Sequence, residues 1–69
     1  MGQGASCISK GTAEKVALAA VKGGTVVAVV FEGGDNPRHW SVDITHKDGT
    51  DYEVWVSCTG KILSIIKGN

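Results

Sequence analysis

Cys7, Cys58, His39, His46 and a scatter of serines and carboxylates are the residues of this 69-residue chain whose types could do chemistry. Metal binding is the first to test. His39 and Asp43 share one face of an extended segment but stand four positions apart, roughly 13 Å along a strand. His46 has the opposite parity. Zinc ligands must converge to about 2 Å from one point, so both histidines read as solvated surface residues. Nucleophilic catalysis needs a base and a group to orient it, and Ser41, Ser57, Ser64 and Cys58 have no identifiable set. The glycines gather at turns rather than in a strand–loop–helix phosphate cradle. No catalytic residue, metal ligand set or cofactor site is expected, and the chain does not read as an enzyme.

The elements that would position these residues follow from periodicity. Ser9 can cap a helix start. Ala13, Val16, Ala17, Ala20 and Val21 then recur on one helical face, with Leu18 on its flank. Gly23-Gly24 supplies the backbone freedom of a helix end. From Thr25 the pattern turns β-branched, and residues 25–31 read as a first strand. Gly33-Gly34-Asp35-Asn36-Pro37 is a dense turn signal. A second strand alternates, with Trp40, Val42 and Ile44 on one side and His39, Ser41, Asp43 and Thr45 on the other. Lys47-Asp48-Gly49 marks a hairpin. A third strand sets Tyr52, Val54 and Val56 against Glu53, Trp55 and Ser57. Thr59-Gly60 turns the chain into a fourth strand over residues 61–66. Connections this short leave no room for a crossover, so the expected fold is α+β, one N-terminal helix packed on a four-stranded antiparallel meander.

Composition narrows the class. The chain is 42% apolar and 20% charged, as a globular protein is, and its formal net charge is zero. With no basic stripe, and with Trp40, Tyr52 and Trp55 not interleaved with basic residues, nucleic acid is a poor partner. No apolar run approaches the roughly 20 residues of a membrane span. The first residues lack the basic and apolar regions of a signal peptide. Residues 1–7 are expected to be a flexible tail, read more readily as an added remnant ahead of a trimmed mature chain than as a native start, and residues 8–67 a single domain.

The thiols have three readings. On the traced fold the helix runs down, the first strand up, the second down and the third up. The turn after the third strand therefore lies at the same end as the helix start, where Cys7 and Cys58 can meet if their Cα atoms come within about 7 Å. Such a bridge closes a loop of about 50 residues, contributes about 4 kcal/mol in the chain-entropy model and implies an oxidising compartment. Two unrelated free thiols are the second reading. The third is a lipid on Cys7: Ala5-Ser6-Cys7 partly resembles a bacterial lipoprotein site, although Gly4 stands where leucine is usual. Met1-Gly2 with Ser6 also fits the loose myristoylation pattern.

An ordered set of residues resembles the PepSY domain family: Ile8-Ser9, Ala13, Val16-Ala17-Leu18, Gly24-Thr25-Val26, Tyr52-Glu53-Val54-Trp55-Val56 and Thr59-Gly60-Lys61-Ile62-Leu63-Ser64. The likeness spans residues 8 to 66. It implies a helix on an antiparallel sheet and no catalytic residues. It also implies a bacterial, secreted or cell-envelope protein that acts on a secreted peptidase or another exported protein by contact. Two positions depart from the family pattern. Ser57-Cys58-Thr59-Gly60 lacks the usual acidic residue and is one position shorter, and Val27, Ala28 and Val30 stand where polar residues are common.

Trp55 alternates away from the helix, onto the sheet's open face. Val27, Val30, Leu63 and Ile65 are expected to join it as a partner surface, the alternative being that the fourth strand turns Leu63 and Ile65 toward the core. The first strand is a long apolar edge that can pair with a second copy in a weak homodimer, unless a bulge near Val27-Ala28 twists it away. A small-molecule carrier would need a cavity between helix and sheet, which Trp40 and Tyr52 are large enough to fill.

Overall fold

The computed structural model describes residues 6–68. The expected tail over residues 1–7 lies outside that range except for Ser6 and Cys7, and the Met1-Gly2 reading lies outside it altogether.

Helix α1 (Lys10–Ala20) starts directly after Ser9, whose backbone is extended and whose hydroxyl accepts from the Thr12 N–H at 3.2 Å. Ala13, Ala17 and Val21 are buried, while Ala20, expected on the same stripe, is exposed. The helix ends in a Schellman arrangement. Gly23 N–H donates to Leu18 O at 2.7 Å and Lys22 N–H to Ala19 O at 3.4 Å. The left-handed turn begins one residue before the glycines, at Lys22 with φ 63°. Gly24 has a different duty. Its φ is 118°, and a Cβ there would meet the His46 ring at 2.7 Å and Ile44 at 2.8 Å, so the chain crosses from helix to sheet where only glycine fits.

Strands β1 (Thr25–Glu32), β2 (His39–Thr45), β3 (Asp51–Ser57) and β4 (Ile62–Gly68) form one antiparallel sheet in the order β1-β2-β3-β4. The α+β meander read from the sequence is the observed fold. β4 lies a residue or two later than its pattern suggested. Val42, Ile44, Val54 and Val56 are the large buried side chains, and α1 lays its alanines over them. The small helix face lets the two layers approach closely.

Two irregularities re-aim side chains. In β1 the register shifts between Val26, opposite Ile44, and Ala28, opposite Asp43, leaving Val27 as the additional residue. In β4 Trp55 pairs with Ser64 but Val56 pairs with Ile62, so Leu63 is additional there. The hairpin before it is held by Ser57, whose Oγ accepts from the N–H groups of Thr59 at 3.2 Å and Lys61 at 3.0 Å.

Candidate functional site

The start of the domain is tied down three times. Cys7 is disulfide-bonded to Cys58, 51 positions away. Ile8 N–H donates to Cys58 O at 3.1 Å. The Trp40 indole N–H donates to Ile8 O at 3.0 Å. Free thiols and a lipid on Cys7 are the readings this geometry replaces, because a bonded sulfur serves neither. At the far end His46 Nε2 donates to Gly23 O at 2.9 Å, and its ring lies 4.9 Å from Tyr52.

One side of the sheet is covered by α1; the other is open. Paired residues share a face in an antiparallel ladder, so the register assigns the open side. Glu32 faces His39, Val30 faces Ser41, and Ala28 faces Asp43. Across the next ladder His39 faces Ser57, Ser41 faces Trp55, and Asp43 faces Glu53. Ser64 faces Trp55 and Ile66 faces Glu53 on β4. Val27, 61% exposed at the β1 bulge, joins Asp43, Glu53 and Ile66 around a shallow concavity of about 300 Å³.

The partner surface named from sequence divides accordingly. Val27, Val30, Trp55 and Leu63 lie on the open side. Ile65 does not: it pairs with Val54 and lines a groove with Val21, Tyr52 and His46 on the helix side. Its open-face place is taken by Ile66, 47% exposed. The reason is the bulge at Leu63, which breaks the alternation that would have kept residues 63 and 65 together.

The histidine reading is corrected. His39 is not a solvated surface residue: it is 2% exposed, and its ring stacks on Trp55 with centroids 4.4 Å apart. His46 is half-buried and hydrogen-bonded. His39 Nδ1 lies 3.0 Å from Pro37 O. A carbonyl only accepts, so Nδ1 carries a proton; Nε2 then presents a lone pair in the neutral ring and an N–H in the charged one. That Nε2 is buried without a hydrogen-bond partner, with Asp35 Oδ2 3.8 Å away. Asp35, Pro37, His39, Trp55, Leu63 and Ser64 surround a concavity of about 540 Å³.

The other feature the sequence reading passed over is acidic. Glu53 Oε2 accepts from the Trp55 indole N–H at 2.7 Å and from Ser41 Oγ at 3.0 Å, which aims its carboxylate along the open face. Asp43 stands directly opposite. Its own burial, then the charges of Glu53 and Asp51, push the Asp43 carboxyl above the ordinary carboxylate value. The signal was present in the alternation: Asp43 and Glu53 are equidistant from the 47–49 turn, so a hairpin register would have set them opposite one another. Among the described residues, no group of three potential ligands is placed to hold a metal ion, and no helix is long and apolar enough to cross a membrane.

The family model described as PepSY, peptidase propeptide and YPEB domain, matches residues 8–66. The chain belongs to the PepSY family. The match begins one residue after Cys7 and ends two before Gly68, so α1 and almost the whole sheet are the PepSY domain. No curated protein and no solved structure matches it significantly.

Proposed function

We propose that this PepSY domain is a non-enzymatic, extracytoplasmic module that works by protein contact and restrains or assists a peptidase. The observation that carries the reading is the family match over residues 8–66, to a family described by peptidase propeptides. Two features support it. The Cys7–Cys58 disulfide suits an oxidising compartment outside the cytoplasm. The uncovered sheet face, with Val27, Val30, Leu63 and Ile66 between 42% and 61% exposed, offers apolar area for a partner. The test is to titrate the purified domain against secreted peptidases encoded beside it and measure binding and residual activity. Saturable binding with a change in activity supports the reading; absence of binding to all of them removes the peptidase.

A second reading is self-association through the β1 edge. β1 is an outer strand of the sheet, and its side chains are mostly exposed. Unpaired strand edges invite pairing with another copy, which the bulge at Val27 opposes by twisting the edge. Sedimentation over a wide concentration range separates the two, since a strict monomer leaves only the hetero-partner.

A further inference from the structure

The charges of this electrically neutral chain are sorted by side. Four of its seven acidic residues, Glu32, Asp43, Asp51 and Glu53, occupy paired positions on the open face. Among the described residues, the four strands contain one basic residue, Lys67, which pairs with Tyr52 on the helix side. The other lysines stand on α1 or in turns, and Arg38 stands one residue before β2, in the segment that carries Asp35. Asp43 and Glu53 meet as a direct cross-strand pair of like charge, an arrangement that destabilises a sheet by itself. Apolar Val27 and Ile66 flank this acidic row, and Trp55 and Leu63 lie one row along.

A second observation points the same way. In the adjoining concavity, His39 Nε2 and the Asp35 carboxylate face each other across 3.8 Å, Nε2 has no hydrogen-bond partner, and His39 is 98% buried. In the neutral ring these are two acceptors, and the pair has no donor between them. A single ammonium, or the fork of a guanidinium, can donate to the exposed Asp35 carboxylate and stand beside the buried His39 ring. The Trp55 indole and Leu63 would cover the aliphatic stem of such a side chain.

We infer that the open sheet face binds a basic, apolar-flanked segment of a partner protein, one of whose lysine or arginine side chains enters the concavity between Asp35 and His39 while its neighbours lie over Asp43 and Glu53. This rests on the reading of the chain as a protein-contact domain and stands whether or not the partner is a peptidase. Anionic lipid surfaces and nucleic acids are repelled by the same charges.

The probe is the capped peptide Lys-Leu-Lys-Leu-Lys, titrated into the isotope-labelled full chain and followed by amide and indole N–H resonances. The expected result is shifts at Trp55, Glu53 and Asp43 with α1 unmoved, weakening as salt is raised. The Glu-Leu-Glu-Leu-Glu counterpart is expected to bind at least about tenfold more weakly. Asp35→Asn and Asp43→Asn, both at sites where an amide is readily accommodated, are each expected to raise Kd by about three- to tenfold. Equal binding of the acidic peptide, shifts confined to α1, or unchanged affinity in both variants would overturn the inference. Spermine binding as tightly as the peptide would overturn the protein segment as occupant. A chain that binds the basic peptide but leaves every peptidase untouched keeps this inference and loses only the peptidase.

Discussion

Cys7 and Cys58 lie 51 positions apart, and closing a loop of that length removes about 4 kcal/mol of conformational freedom from the unfolded chain. A domain of this size has only about 3–10 kcal/mol of stability in all, so the bridge is a large share of it. Replacing both cysteines with serine, or adding reductant, is expected to lower the urea midpoint sharply. An unchanged midpoint would show that the Ile8 backbone bond to Cys58 and the Trp40 indole bond to Ile8 suffice. Asp43 bears on pH. Its folded carboxyl is held above the ordinary value of 3.8 by burial and by Glu53 and Asp51. Its contribution to stability is therefore fully present below the ordinary value and is lost as pH rises through the folded one. Asp48 acts in the opposite sense. The Thr50 backbone N–H holds its carboxyl below the ordinary value, so its contribution is present above that value and lost as pH falls through the folded one. Asp43→Asn is expected to stabilise the fold at neutral pH by on the order of 0.5 kcal/mol. It also removes Asp43's part of the acid-side gain, and urea titrations at paired pH values read both effects.

The helix-to-sheet turn is the element most exposed to single substitutions. Lys22 holds a left-handed backbone at φ 63° without being glycine, which costs about 1 kcal/mol. Lys22→Gly is expected to raise the thermal midpoint, less the extra freedom glycine has when unfolded. Gly24→Ala is expected to lower it by an amount equivalent to about 1–3 kcal/mol, because the new methyl group meets His46 and Ile44 and the φ of 118° is strained for any side chain. Thermal unfolding of the two variants gives opposite signs if the geometry holds. The strands teach a complementary lesson. Alternation within β2 and β3 placed Trp40, Val42, Ile44, Tyr52, Val54 and Val56 toward the helix, and pairing is regular across that ladder. In β4 alternation stopped being a guide at Leu63, because a single unpaired residue reverses every face assignment after it.

The assembled molecule is a two-layer sandwich with only one outer face protected. α1 covers the buried valines and Ile44, while the far side of the sheet keeps apolar side chains in water beside a row of like charges. Neither feature helps this chain fold alone, and both are what the proposed partner-binding face would use. If a partner does lie there, chemical denaturation in its presence should show added stability that grows with the logarithm of partner concentration. Neutralising Asp43 should weaken that gain even as it stabilises the isolated domain. A surface under no functional demand would show the stability increase and no loss of binding.

The order of one helix and four strands, the antiparallel meander and the common end for the two thiols were all readable from residue types. They depend on local periodicity and on turns too short to permit another path. What folding alone settled were the places where the period fails or where distant residues meet. The bulge at Leu63 moved Ile65 to the helix side and brought up Ile66. The stacking of His39 on Trp55 buried a side chain that an alternating pattern would leave in water. A strand's sequence records which residues share a side, but the count of unpaired residues and the filling of space between ladders arise only when the strands are laid together.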